Sequence, residues 1–445
     1  MRRIILLFFA WSIAIHCDAQ KKKAVIDNNL SIQKNLSDSE LLDLVQKQTL
    51  TYFWDFASPV SGMTRERSNE AFDTGDEVVT TGGTGFGVMA IVVGVSRHWI
   101  PRDSAVQRLL KMVRFLYKAD SYHGVFAHWL NGTTGKTIPF GRKDDGADLV
   151  ETSYLMEGLL CARQYFDENS PAENELRGRI NSLWNDIEWN WFTRDGQEVL
   201  YWHWSPNNGW AMNFPIRGFN ECLITYVLAA SGERYPVSSA VYHRGWAQSD
   251  FFKNGKQFLG YTLPLGFDYG GPLFYTHYSF LGLDPHGLKD RYANYWDQNT
   301  SHTLINYTYC VNNPLHYKGY GTNCWGLTSS DNYQGYSAHS PTNDLGVITP
   351  SGALSAFPYT PEYSMAALKH FYFDMGNKLW GKYGFIDAFS ESKNWYANSD
   401  IAIDEGPIVD MIENYRSGLL WKLFMSCPEV QGGLKKLGFT SPYLK

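Results

Sequence analysis

The segment Gly141-Arg-Lys-Asp-Asp-Gly-Ala-Asp-Leu-Val-Glu151 crowds carboxylates into a short stretch. On a helix extended back to Asp144, residues Asp144, Asp148 and Glu151 stand at i, i+4 and i+7, within about 60° of one another at 3.6 residues per turn. Carboxylates sharing one stripe can serve as general acid and general base when their surroundings push their pKa values apart. Leu149, Met156 and Leu160 centre on another face, so the stripe need not point at the core. The structural alternative is a solvated acidic face, since a helix dipole favours Asp and Glu in the first turn.

A second carboxylate follows a Trp-rich stretch. Trp202, Trp204 and Trp210 precede Phe214-Pro-Ile-Arg-Gly-Phe-Asn-Glu221, which runs into an apolar helix. An apolar neighbourhood raises a carboxyl pKa, so Glu221 is the candidate proton donor, with Arg217 and Asn220 as candidate substrate-binding residues. The alternative pairs Glu221 with Arg217 in the first helical turn and makes Asn220 its cap. A third group, Asp404 and Glu405, precedes Gly406-Pro407 at a helix mouth and also joins the binding candidates. Farther along, Glu413 and Arg416 are expected to pair at i, i+3.

Aromatic residues point to the ligand class. The chain holds 16 Trp, 28 Tyr and 26 Phe, and its long connections combine rings with carboxylates and amides. Sugars present a C–H face that packs on rings and hydroxyls that need polar partners. Trp129, Trp202, Trp204, Trp210, Trp325, Tyr333, Tyr336 and Tyr359 are therefore candidate subsites, although many of the aromatics must be core.

Other chemistries fit poorly. A net charge of −6 with no internal Lys/Arg run argues against nucleic acid. Thr80-Thr-Gly-Gly-Thr-Gly-Phe-Gly has no following Lys, so close packing of Gly-faced helices is expected rather than a phosphate loop. Neither Gly-x-Ser-x-Gly nor His-Glu-x-x-His occurs, and no metal or organic cofactor is expected.

The elements that must position these groups are mostly helices. Ser37 or Ser39 is expected to open the fold ahead of Leu41, Leu42, Leu44 and Val45. Amphipathic or apolar segments then recur near 83–100, 103–119, 148–167, 172–192, 218–232, 289–312, 361–380 and 407–426, with a shorter candidate at 238–253. Long connections at 120–147, 193–217, 254–288 and 313–360 are read as cleft walls that can hold short strands. No fixed repeat supports an open helical array, so an all-α toroid, with long aromatic-rich loops forming a cleft, is favoured.

Residues 1–19 are read as a secretion signal, residues 20–36 as a flexible segment and residues 37–445 as one domain. Removing the signal takes out Arg2, Arg3 and Asp18, and the net charge goes from −6 to −7. An exported, periplasmic or extracellular protein without a membrane span follows; lipid anchoring at Cys17 is disfavoured by His16. Cys161, Cys222, Cys310, Cys324 and Cys427 are too sparse for a disulfide scaffold, although Cys310 and Cys324 could pair.

Several longer stretches are recognisable. His277-Tyr-Ser-Phe-Leu-Gly-Leu-Asp-Pro-His-Gly-Leu-Lys-Asp-Arg-Tyr, Cys324-Trp-Gly-Leu-Thr-Ser-Ser-Asp, Val347-Ile-Thr-Pro-Ser-Gly-Ala, Phe357-Pro-Tyr-Thr-Pro-Glu-Tyr-Ser and Asn377-Lys-Leu-Trp-Gly-Lys-Tyr-Gly-Phe-Ile-Asp-Ala-Phe closely resemble the bacterial glucoamylase-like domain family. That family includes endo-β-1,2-glucanases. The resemblance, from about residue 40 to 435, implies an (α/α)6 barrel and an inverting glycoside hydrolase acting on a neutral polysaccharide, most simply β-1,2-glucan. It also implies that Asp144, Asp148, Glu151 and Glu221 line the cleft, with another carboxylate near Asp404. The competing readings are a non-catalytic exported glycan-binding protein and a toroidal polysaccharide lyase. The acidic charge disfavours the lyase, whose usual substrates are themselves acidic.

Overall fold

The computed structural model describes residues 31–69 and 77–444, so the expected secretion signal lies outside the described residues. Ser37 opens the first helix as expected: its side chain accepts from Glu40 N–H while the Glu40 carboxylate reaches back to Ser37 N–H, a complete capping box.

Thirteen α-helices follow in chain order among the described residues: α1 (Asp38–Trp54), α2 (Thr81–Ser96), α3 (Arg102–Leu116), α4 (Leu149–Tyr165), α5 (Pro171–Asp186), α6 (Leu223–Ser231), α7 (Tyr295–Asn312), α8 (Pro350–Leu354), α9 (Pro361–Lys369), α10 (Gly376–Leu379), α11 (Ala402–Ser417), α12 (Leu419–Met425) and α13 (Pro428–Lys436). Four of them, α2, α4, α6 and α11, are buried along most of their length. A helix buried all round needs neighbours on every side. Accordingly α2 lies between α4 and α11, and α4 also packs on α6. Amphipathic helices cover this inner group: α1 packs on α2 and α11, α3 on α2 and α5, α5 on α4, and α13 on α6.

The Gly-rich start of α2 does what close packing requires. A Cβ at Gly85 would collide with the Tyr154 carbonyl on α4, and one at Gly158 would collide with the Gly85 carbonyl, so the two backbones touch. Such contact places the amino-terminal ends of α2 and α4 side by side.

Several boundaries differ from expectation. The 407–426 segment is two helices, because Gly418 takes a left-handed φ of 67° between them, and α11 begins five residues ahead of Pro407. The 172–192 segment ends as helix at Asp186 and resumes as a 3-10 turn at Trp189–Thr193. The 289–312 segment starts only at Tyr295, capped by the Asn294 side chain, and the 361–380 segment breaks into α9, a π-turn and α10. The 238–253 candidate is a single π-turn, Val241–Trp246. Glu413 and Arg416 do not pair with each other: Arg97 Nε donates to Glu413 at 2.8 Å, and Arg416 reaches Asp43 at 2.6 Å and Gln46 at 2.8 Å. The tie is from helix to helix rather than within α11.

The long connections carry small antiparallel ribbons rather than a continuous sheet. One pairs Ala147–Asp148 with His203–Trp204 and so brings the acidic segment against the Trp-rich loop. Cys310 and Cys324 are buried free thiols. Among the described residues no helix is long and apolar enough to cross a membrane.

Candidate active site

Asp148 is the N-cap of α4. Its Oδ1 accepts from Val150 N–H at 3.1 Å, Glu151 N–H at 3.0 Å and Trp202 Nε1–H at 2.9 Å, and its Oδ2 lies 3.2 Å from His128 Nδ1. Burial pushes this carboxyl up, but the His128 hydrogen bond and charge, with the Glu151 N–H, outweigh it and hold Asp148 below its ordinary value. Glu151, in the first turn, accepts from Gly82 N–H of α2 at 2.8 Å and has Oε1 3.9 Å from His128. Burial, against the opposing charge of His128, raises Glu151 to about 7.

Asp144 is not on the helix. It closes a tight turn with Gly141, and the Ala147–Asp148 ribbon strand separates it from α4. The i, i+4, i+7 stripe is therefore not how these groups meet, because helix geometry begins only at Leu149. They meet all the same: His203 Nε2 stands 3.4 Å from Asp144 Oδ2 and 3.7 Å from Asp148 Oδ2. Burial and then the Asp148 charge raise Asp144 to about 7. Burial lowers His203 to about 4, whereas for His128 the charges of Glu151 and Asp148 overcome burial and raise it to about 10. At neutral pH the group thus holds one imidazolium, one firm carboxylate and two carboxyls of intermediate affinity for a proton. The ligand atoms of Asp144, Asp148 and His203 lie within 4.8 Å of one another, a spacing that can also hold a cation.

Glu221 sits in the turn just ahead of α6. Its Oε2 is buried without a hydrogen-bond partner among the described residues. Burial, then the charges of Glu151 and Asp148, raise it to about 7. Burial, then the charges of Asp404, Tyr336, Glu151 and Glu221, pushes the hydroxyl of Tyr278 well up. Glu221 does not pair with Arg217, which is exposed and donates to the Gly245 carbonyl at 3.1 Å. Asn220 caps the turn, accepting from Cys222 N–H at 3.0 Å.

On the far wall, Asp404 and Glu405 occupy the first turn of α11. Asp404 accepts from Ser351 Oγ at 2.8 Å and shares a hydrogen bond with Asp387, and burial raises it to about 7. Burial pushes Glu405 well up. Tyr336 is 45% exposed.

The aromatic candidates divide. Trp202 bonds Asp148, and Trp129, Trp204 and Trp210 are half-buried beside the ribbon. Tyr333 is half-buried, with its hydroxyl donated to Leu345 O and Lys393 over its ring. Trp325 and Tyr359 are not available to a ligand. Trp325 is fully buried with Nε1–H directed to Tyr363 O, and Tyr359, 6% exposed, bonds Thr276 O and Asn299. Both belong to the core, because a connection of this length must bury its own apolar residues. The groups that sequence reasoning passed over are His128, His203, Gly82, Tyr278 and Asp387. Only the two histidines had a local signal, each standing beside a Trp already singled out.

Comparison with known proteins settles the family. Residues 213–428 match the family described as "Putative glucoamylase". A solved protein of that same description from Bacteroides uniformis is 61% identical, with a TM-score of 0.91 over 93% of this chain and 100% of that one. This chain belongs to the glucoamylase-like family. Another relative, an endo-beta-1,2-glucanase from Chitinophaga pinensis solved with sophorotriose and glucose, is 57% identical, with a TM-score of 0.90 over 92% of this chain and 100% of that one. A curated relative, the exo beta-1,2-glucooligosaccharide sophorohydrolase (non-reducing end) of Parabacteroides distasonis, is 44% identical over 423 residues. That match covers 90% of this chain but only 58% of the relative's length.

Proposed function

We propose that this chain is an exported glycoside hydrolase that cleaves β-1,2-glucan with inversion, on a single (α/α)6 domain spanning residues 37–445. The names of the Chitinophaga and Parabacteroides relatives support the substrate. The inner group of α2, α4, α6 and α11 under an amphipathic outer layer supports the toroid. The observation that carries the chemistry is Glu221: a carboxyl with a buried unpartnered oxygen, raised to about 7 by burial and then by the charges of Glu151 and Asp148.

Glu221 is the acid that protonates the glycosidic oxygen, and Asp148 or Glu151 is the base that activates water on the opposite face. Of the two, Glu151 suits the base better. Asp148 Oδ1 already accepts three N–H donors and Oδ2 holds His128, whereas Glu151 keeps Oε1 without a close donor. Asp148 and His128 then set the charge against which Glu151 and Asp144 titrate. Asp404, Glu405, Tyr336 and the half-buried Trp residues supply hydroxyl partners and ring faces, and the chemistry requires no metal or organic cofactor. The segment ahead of residue 20 is proposed to direct export.

The test is incubation with linear β-1,2-glucan and analysis of the products. New reducing ends that first appear as the α-anomer support inverting hydrolysis. Unsaturated products indicate a lyase, and retention of the polymer without cleavage indicates a binding protein.

A further inference from the structure

A second recess lies beside the ribbon, lined by Glu188, Asn190, Trp191, Asp195, Trp210 and Tyr235 and holding about 250 Å³. Trp191 is 39% exposed, unusual for the largest apolar side chain, yet it is held firmly. One face stacks on His123 at 3.7 Å between centroids and 14° between planes, and Glu188 fixes His123 through Nδ1 at 3.0 Å. Trp210, nearly parallel to Trp191 at 6.5 Å, is braced on Phe192 and Tyr201. A rigid ring pair of this kind keeps a preformed apolar face in contact with water.

Apart from Glu188, the polar lining is uncommitted. Among the described residues, the side chains of Asn190 and Asp195 and the hydroxyl of Tyr235 have no hydrogen-bond partner. Arg194 is turned to Asn213 and the Tyr201 ring, and Arg234 lies over the Tyr235 ring, 3.8 Å from Asp186. Carboxylates without a lining cation repel anionic ligands and accept from hydroxyls. A ring face with hydroxyl acceptors around it fits a neutral hexose unit, whose size the cavity matches.

The wall of the recess and the carboxylate group are built on the same strand. Trp204 packs edge-on against Trp191 at 6.1 Å, and its neighbour His203 stands 3.4 Å from Asp144. We infer that this recess is an outlying subsite: Trp191 and Asp195 hold a glucosyl unit of the bound glucan at a distance from the linkage being cleaved. The inference rests on the proposed glucanase reading, but it concerns a site with no part in bond breaking. Its effect is therefore confined to substrates long enough to reach it.

The experiment compares Trp191→Ala and Asp195→Ala with the unaltered protein on linear β-1,2-glucan and on the shortest oligosaccharide it cleaves. The expected result is a KM for polymer raised about five- to twentyfold, with kcat and all constants for the short substrate within about twofold, as loss of one stacking or hydroxyl contact implies. Unchanged activity on the short substrate also reports an intact fold, and if Trp191→Ala unfolds, Asp195→Ala in its exposed loop decides. Equal changes on both substrates, or no change on polymer, overturn the subsite while leaving the glucanase reading standing. An unaltered protein inert on both substrates overturns both.

Discussion

His128 Nδ1 stands 3.2 Å from Asp148 Oδ2, so an imidazolium is fixed against the carboxylate that caps the helix carrying Glu151. Both partners gain from the contact. His128 is raised above its ordinary value of 6.5 to about 10, so its stabilising contribution is complete below pH 6.5 and is lost as pH climbs through 10. Asp148 is lowered, so its contribution is present above its ordinary value and lost in acid.

Replacing His128 with Gln removes the cation that opposes the charging of Glu151. The acidic limb of the kcat/KM profile, which reports ionisation of the base, should move to higher pH, while the alkaline limb, set by Glu221, moves less. A pH–rate profile checks this. An acidic limb unmoved or shifted downward counts against Glu151 as base.

Gly82 presents its N–H to Glu151 Oε2 at 2.8 Å, and a Cβ there would strike that carboxylate and lie 3.0 Å from the Tyr154 ring. Gly82→Ala should therefore displace Glu151 and lower kcat by about tenfold or more, with a smaller loss of stability. Paired measurements of turnover and thermal unfolding check it; wild-type kcat in a folded Gly82→Ala protein would mean that Glu151 is not held by this contact.

Asp410 of α11 and Glu157 of α4 are fully buried. Burial, then the charge of Glu157, pushes Asp410 well up, and neither of its oxygens has a hydrogen-bond partner among the described residues. A folded pKa above the unfolded one gives stability that is complete in acid and is lost as pH rises toward the folded value. Asp410→Asn does not titrate, so its melting temperature relative to wild type should improve from pH 5 to pH 8. A difference that is constant with pH would contradict this.

The cation spacing of Asp144, Asp148 and His203 gives a further test. A two-carboxylate hydrolysis needs no ion, so activity after chelation should stay within about twofold of the untreated protein. Loss restored by added divalent cation would assign those three residues to a metal.

Much of this arrangement was legible in the sequence, for identifiable reasons. α2 declares itself because a fully apolar helix has few alternatives, and its Gly face is a direct statement about backbone contact. Asp148, Glu151 and Glu221 could be singled out as candidates because each stands at a helix beginning, where local signals are strong. Asp144 was placed on the right group by the wrong geometry: a two-residue strand, paired to a ribbon more than 50 residues away, has no local periodicity to reveal it. Trp325 and Tyr359 failed for the opposite reason, since composition cannot tell a ring that lines a cleft from one that roofs the core.

The most direct measurement is turnover of linear β-1,2-glucan by Glu221→Gln. The account predicts a fall in kcat of at least about a hundredfold, or roughly 2.7 kcal/mol of transition-state stabilisation, with KM little changed. Turnover within about tenfold of wild type, a loss of no more than roughly 1.4 kcal/mol, would contradict Glu221 as the proton donor.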